Sequence, residues 1–136
     1  MTTLLGGCLC GAVRYECSGE PAMSALCYCT DCQHATGGAF SAGFLVPKES
    51  FKLLKGELKS HEITADSSAK VSRNFCPTCG SPVVNQFTAM PALVEVAAGS
   101  LDDVTRFKPM ISIFTSSAPP WALIPADIPQ YPKAPG

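Results

Sequence analysis

The residues of this chain with the clearest capacity for chemistry are its eight cysteines. Seven of them fall into three short runs, C-L-C at Cys8–Cys10, C-Y-C-T-D-C at Cys27–Cys32 and C-P-T-C at Cys76–Cys79. Bunched thiols are typical of metal knuckles, whereas disulfide frameworks spread their cysteines to connect distant loops. A redox relay also uses closely spaced thiols, so each run is weighed separately. As a group, the spacing favours zinc sites.

The C-P-T-C run is the strongest single metal signal. A C-x-x-C turn followed by glycine, here Gly80, lets both sulfurs face one ion, because glycine permits the left-handed backbone that such a knuckle needs. The alternative is a thioredoxin-like redox pair, which normally stands at a helix start within a βαβ unit. The neighbouring segments indicate strands, and Pro82 follows closely, which favours zinc.

A closed structural zinc site needs two more ligands than this knuckle provides. Cys8 and Cys10 precede a predicted strand and are flanked by glycines that permit a tight turn. We therefore predict a four-thiolate site made of Cys8, Cys10, Cys76 and Cys79, which contributes folding free energy directly. Cys17 has no partner nearby in the sequence and is predicted to be a buried core or strand residue.

The remaining trio, Cys27, Cys29 and Cys32, offers three ligands. Three protein ligands with an open fourth position is the usual arrangement of catalytic zinc, and a substrate thiolate suits that position because zinc accepts sulfur readily. Two alternatives stay open: a fourth ligand from His34 or His61, and a metal-free redox trio. His34 follows Cys32 by two residues and is predicted to lie at the surface.

The elements that must position these cysteines are predicted to be mainly β-strands, because short alternating or apolar segments are separated by glycine and proline. Helix is predicted only for a turn or two at 30–35, capped by Thr30 or Asp31, with a further turn at 101–104. Six of the twelve prolines follow Ala118, so residues 118–136 are predicted to wrap the domain as irregular coil pinned by Trp121. The predicted strands are 12–17, 39–46, 51–57, 70–76, 82–87, 92–101 and 107–115.

The length and the charge of the chain limit which classes of protein it can belong to. A chain of 136 residues predicts one domain, 1–136, with a sizeable core. A net charge of −1 with scattered lysines gives no electrostatic basis for binding nucleic acid. No apolar run approaches the roughly 18 residues needed to span a membrane. We expect a cytoplasmic protein, whose thiols stay reduced.

The motifs "GGCLCGAVRY", "CYCTDCQHATGGAF", "NFCPTCGSPV", "VAAGSLDD" and "PPWALI" occur in an order that resembles the glutathione-dependent formaldehyde-activating enzyme (GFA) family, which includes centromere protein V. The resemblance covers about Gly6 to Trp121. It implies a β-tent, a zinc-binding fold of small antiparallel sheets with very little helix. It also implies a structural zinc held by four cysteines and a second, more labile zinc held by the trio.

The resemblance further implies a carbon–sulfur lyase that handles S-hydroxymethylglutathione, the adduct of glutathione and formaldehyde. On this hypothesis the trio is the catalytic site, its partners are a small thiol and a small aldehyde, and Asp31 is a candidate proton acceptor. Tyr28 stands where members of the family commonly carry histidine. The alternative function is a zinc-stabilised β-tent binding module without turnover, and a thiol redox protein is a weaker third. The oligomeric state is not predicted.

Overall fold

The computed structural model of the protein describes residues 3–135. Within that range ten strands and one α-helix form the ordered framework. The strands are β1 Thr3–Gly7, β2 Arg14–Ser18, β3 Met23–Cys27, β4 Ser41–Pro47, β5 Phe51–Lys55, β6 Lys59–Thr64, β7 Lys70–Phe75, β8 Pro82–Phe87, β9 Leu93–Ala97 and β10 Ile111–Ile113, and the helix is α1 Thr30–Thr36. Short 3-10 turns lie at Lys48–Ser50, Ala98–Ser100, Val104–Arg106 and Thr115–Ser117.

The strands form two sheets. One has three strands in the order β1-β2-β5, and the other has seven in the order β10-β3-β4-β9-β8-β7-β6. The prediction of a mainly β protein with little helix is confirmed. The pairing is antiparallel as predicted, except that β10 runs parallel to β3. No helix in the described part of the chain is long and apolar enough to cross a membrane.

Alternation of buried and outward side chains builds the core between the sheets. Tyr15 and Cys17 on β2 are buried, as are Phe44 and Val46 on β4, while Glu16 and Leu45 between them are half-buried. Cys17 therefore is a core strand residue, as predicted. The Tyr15 hydroxyl, at 2.6 Å from the Ser100 Oγ, satisfies its polar end inside this core.

Each of the seven predicted strand segments overlaps a strand of the structure, but β1, β3 and β6 were not predicted. β3 reads MSALC and has no β-branched residue, so its sequence carries little strand signal. β6 reads KSHEIT, and most of its side chains are exposed at the edge of the large sheet. Its hydrophobic alternation is correspondingly weak, because neither face is fully buried.

Two details of the helix and the coil differ from the prediction. Helix α1 is capped by Cys29 and not by Thr30 or Asp31: the Cys29 sulfur accepts from the Cys32 N–H. Trp121 does not pin the C-terminal coil, because its side chain is 69% exposed. Backbone hydrogen bonds to β10 hold the coil instead, including Ser112 N–H to the Pro129 carbonyl at 2.9 Å.

An ion pair between Arg14 on β2 and Asp102 connects the small sheet to the segment after β9, with one N–H···O bond of 2.9 Å. The hydrogen bond from Arg14 lowers the pKa of Asp102. A lowered carboxyl pKa stabilises the fold above the unfolded-state value of about 3.9, and that stability is lost as the pH falls through the folded-state pKa. Asp102→Asn is therefore expected to lower the melting temperature at pH 7.

Thermal melts of Asp102→Asn and wild type across the pH range check this prediction. The difference in melting temperature should begin to shrink below about pH 4, where the carboxylate of the unfolded chain takes up a proton, and should close once the pH falls below the lowered folded-state pKa. Asp66→Asn, at an exposed aspartate in the turn after β6, is the matched control and should melt like wild type. A difference that persists undiminished in acid would contradict the ion-pair explanation.

Candidate metal centres and the adjoining pocket

The first cysteine cluster contains Cys8, Cys10, Cys76 and Cys79, whose sulfurs all lie within 4.8 Å of one another. The Cys10 sulfur is 3.7 Å from that of Cys8 and 3.8 Å from that of Cys76. Around tetrahedral zinc with Zn–S bonds of about 2.3 Å, neighbouring sulfurs are about 3.8 Å apart. The donor set and its spacing therefore fit a zinc ion.

Two turns bring these four residues together. Cys8 and Cys10 occupy the turn between β1 and β2, and Cys76 and Cys79 occupy the turn between β7 and β8. Gly80 has φ 79° and donates its N–H to the Cys76 carbonyl at 2.8 Å, which confirms the left-handed glycine predicted for this knuckle. Backbone N–H groups also point at the sulfurs, as from Val13 to Cys8 Sγ at 3.2 Å, and this hydrogen bond stabilises the Cys8 thiolate.

The second cluster contains the trio, at the junction of β3 and α1. The sulfurs of Cys27, Cys29 and Cys32 also lie within 4.8 Å of one another. In the part of the chain that the structure describes, neither histidine joins this cluster, and His34 is exposed as predicted. The trio therefore offers three sulfur ligands to a metal ion. All eight cysteines are free thiols.

The electrostatics of the trio favour one thiolate in particular. Hydrogen bonds from Cys27 and Cys29 lower the pKa of Cys32, and Ser41 and Arg73 act in the same direction. The Arg73 guanidinium donates to Cys32 Sγ at 3.8 Å. The pKa of Cys27 is raised by its hydrogen bonds with Cys29 and Cys32 and by burial. Negative charge on the trio is thus placed closest to Arg73, a residue that the sequence analysis missed.

A pocket of about 780 Å³ adjoins both clusters. Cys8 of the first cluster lines the pocket. No cysteine of the trio does, and the trio is connected to the pocket by Ser41 and Arg73, which are part of its wall. Ser41 is the register partner of Cys27 across β3 and β4. The wall also carries His61, which was considered above as a ligand of the trio, and four charged or polar side chains that were not predicted as site residues, namely Arg14, Asn85, Glu95 and Asp102. Such a mixture of cationic and anionic groups suits a small molecule that bears both charges.

The non-cysteine residues of the C-Y-C-T-D-C-Q segment do not line the pocket. Tyr28 and Gln33 make hydrogen bonds that hold the fold together. Tyr28 is fully buried, does not line the pocket, and donates its hydroxyl to the Leu123 carbonyl at 3.1 Å. The Gln33 amide donates to the carbonyls of Tyr28, at 2.8 Å, and of Ser117, at 3.0 Å. Asp31 is exposed in the first turn of α1 and is not part of the pocket wall.

Tyr28→Phe is therefore expected to weaken the fold and spare any chemistry in the pocket. Removing one buried hydroxyl–carbonyl hydrogen bond costs about 1 kcal/mol of the free energy of unfolding. Chemical denaturation measures that loss, and metal content should not change. Tyr131→Phe is the control, since its hydroxyl makes no hydrogen bond within residues 3–135 and its loss should cost little. Lost activity at unchanged metal content would instead place Tyr28 against the substrate.

The fold and the two clusters define a class: a mainly β protein with one four-cysteine and one three-cysteine cluster, each able to hold a metal ion, near a pocket with charged side chains in its wall. The chain belongs to the GFA family, since the family model described as "Glutathione-dependent formaldehyde-activating enzyme" matches residues 3–117. Its fold is similar to that of a Rhodobacter sphaeroides protein solved by crystallography as a structural genomics target. The TM-score is 0.61 at 21% identity, over 93% of this chain and 99% of that chain.

Proposed function

We propose that this protein is a zinc-dependent carbon–sulfur lyase that acts on the adduct of a small thiol and a small aldehyde, of the S-hydroxymethylglutathione type. The observation that carries the proposal is the trio of converging sulfurs beside a pocket large enough for a tripeptide-sized ligand. Membership of the GFA family supports glutathione as the thiol and formaldehyde as the aldehyde.

On this proposal the two clusters would bind zinc ions with different roles, one structural and one catalytic. Cys8, Cys10, Cys76 and Cys79 would hold a structural zinc, and Cys27, Cys29 and Cys32 would hold the second. Zinc at the second site would supply a Lewis acid that lowers the pKa of the substrate thiol. The trio's position behind Ser41 and Arg73 would then place the reacting sulfur at the edge of the pocket.

The pocket residues would bind and orient the rest of the substrate. Glutathione carries two carboxylates and one ammonium group. Arg73 has guanidinium donors besides the one directed at Cys32, and guanidinium groups bind carboxylates through paired hydrogen bonds. Asp102 also lines the wall, and its negative charge suits an ammonium group. Orientation of this kind accelerates a reaction by holding its atoms in line.

Exchange NMR tests the proposal. Glutathione and ¹³C-formaldehyde form their adduct unaided, so the quantity to measure is the interconversion rate of adduct and free thiol with and without zinc-loaded protein. A rate that rises in proportion to the protein concentration supports the lyase. Interconversion at the uncatalysed rate, with both metal centres filled, would overturn it.

A second candidate, a zinc-stabilised binding module without turnover, is favoured by one observation. Leu9, Trp121 and Leu123 are 90%, 69% and 89% exposed, and large exposed apolar side chains can form binding surfaces. The exchange experiment separates the two functions, because a binding module would leave the rate unchanged. For location we propose the cytoplasm, where eight free thiols stay reduced. The net charge of −1 does not favour nucleic acid as a partner.

A further inference from the structure

Four polar side chains form a row across the large sheet, one from each of four neighbouring strands. Register pairs connect His61 with Arg73, Arg73 with Asn85, and Asn85 with Glu95. Residues paired in this way point to the same face of a sheet. All four line the pocket. We refer to His61, Arg73, Asn85 and Glu95 as the polar row.

Glu95 is the acidic member of the polar row, and it is held in place on two sides. Its Oε1 accepts a hydrogen bond from Asn85 Nδ2 at 3.0 Å. On the other side, the Glu95 side chain lies over Gly43 of β4. A Cβ added to Gly43 would be 2.7 Å from Glu95 Cγ and 3.0 Å from Glu95 Oε2. A glycine at this position is therefore what leaves room for the carboxylate.

The charge of Glu95 is not neutralised by an ion pair. Among residues 3–135 the ion pairs within 4 Å are Arg14–Asp102 and Lys70–Glu62, and neither includes Glu95. Its hydrogen-bond partner Asn85 is neutral. Burial raises the pKa of Glu95, while the hydrogen bond from Asn85 opposes this effect. A carboxylate in such surroundings has a greater affinity for a proton than one exposed to water.

Glu95 also lies close to the trio. Ser41 is two residues from Gly43 along β4 and so on the same face, and it is the register partner of Cys27. Two residues along a strand span about 7 Å. Within the polar row, Arg73 lies two strands from Glu95 and donates to Cys32 Sγ. A substrate whose sulfur sits at the trio would therefore extend its adjoining carbon and oxygen along the face that carries Glu95.

We propose that Glu95 is the catalytic acid–base of the lyase reaction, exchanging a proton with the hydroxyl group of the thiol–aldehyde adduct. This inference rests on the proposed function. In the cleavage direction the Glu95 carboxylate takes the hydroxyl proton, the O–H electron pair forms the carbonyl bond, and the C–S bond breaks with its electron pair going to sulfur. The products are the aldehyde, the thiolate and protonated Glu95. In the reverse direction the thiolate attacks the carbonyl carbon, and protonated Glu95 returns the proton to oxygen.

Glu95→Gln tests the assignment, because glutamine keeps the size and hydrogen-bonding capacity of the side chain but cannot exchange this proton. Loss of a positioned acid–base group typically slows a reaction by about 100-fold or more. We expect that loss in kcat for adduct exchange, with unchanged KM, zinc content and melting temperature. Glu49→Gln removes an exposed carboxylate after β4, away from the pocket, and is the matched control with wild-type kinetics.

The outcomes separate the two proposals. A zinc-loaded Glu95→Gln protein that exchanges at the wild-type rate, when wild type is faster than the uncatalysed reaction, overturns the role of Glu95 alone. A wild-type protein that gives no acceleration overturns the proposed function, and the role of Glu95 with it. If Glu95→Gln fails to fold, Gly43→Ala decides, since the added methyl displaces the carboxylate without changing its chemistry. A slower kcat at full zinc content supports the role, and a wild-type rate overturns it.

Discussion

Cys76→Ser is expected to leave the chain unfolded at 25 °C. Cys76 is fully buried in the hydrophobic core, and its sulfur lies 3.8 Å from that of Cys10, a residue 66 positions away in the chain. Serine would remove one of four thiolates from the first cluster. Structural zinc sites contribute about 10–16 kcal/mol of apparent binding free energy in small zinc domains, which is comparable with the whole free energy of unfolding of a typical domain.

Circular dichroism and zinc analysis measure this effect. The variant should lose its cooperative melt and the zinc of the first cluster, and a strong chelator should do the same to the wild type. Cys17→Ala is the matched control: it removes a buried thiol that belongs to neither cluster, so it should stay folded with wild-type zinc content. A Cys76→Ser protein with a wild-type melt would show that the first cluster does not hold a structural metal.

Cys29→Ser is expected to have the opposite signature, a folded protein without activity. Cys29 caps α1 by accepting from the Cys32 N–H, and serine is among the best residues for that position, so the helix should persist. The serine hydroxyl is a much poorer zinc ligand than a thiolate. The variant should therefore lose the metal of the trio and keep that of the first cluster.

The rate of adduct exchange should fall at least about 100-fold, since even the loss of a group that only orients a metal ligand costs 10- to 100-fold. Zinc analysis, a thermal melt and exchange NMR on the same sample provide the comparison, with Cys17→Ala again as the control. An active Cys29→Ser protein would remove the trio from the reaction. An unfolded one would show that the trio is structural.

The cysteine clusters could be predicted because their ligands are close together in the sequence. C-L-C, C-Y-C-T-D-C and C-P-T-C each place their sulfurs on one short turn, so spacing alone indicates a knuckle, and Gly80 adds the backbone freedom that the turn needs. Joining the first and third runs into one site followed from the four ligands of structural zinc. The structure brings the same residues together.

The polar row could not be predicted in the same way. Arg73, Asn85 and Glu95 are 10 to 12 residues apart, and each is a single polar residue within a strand, with no local pattern to distinguish it from a solvent-facing one. Only the register of β7, β8 and β9 aligns them on the pocket face. The nearest signal was Gly43 within a largely apolar strand, because a glycine there often marks a close approach by another group.

The prediction for Trp121 failed for a related reason. A single large aromatic residue in a proline-rich coil is a reasonable candidate for packing against the body of the domain. Composition does not show, however, which residue of the coil makes that contact. Tyr28 provides that contact from the body of the protein, by donating to the Leu123 carbonyl, and Trp121 stays exposed. The residue that departs from the common family pattern is thus a structural contact and not part of the pocket wall.

The most direct test of the account is whether a substrate thiol binds at the trio. Cobalt(II) occupies tetrahedral zinc sites and reports its ligands through its visible spectrum, so the fully loaded protein should give a spectrum that changes when glutathione is added. The change should be absent from Cys29→Ser and retained in Cys17→Ala. A wild-type spectrum that glutathione leaves unchanged, with cobalt bound at both clusters, would contradict the claim that the trio holds the sulfur of the substrate.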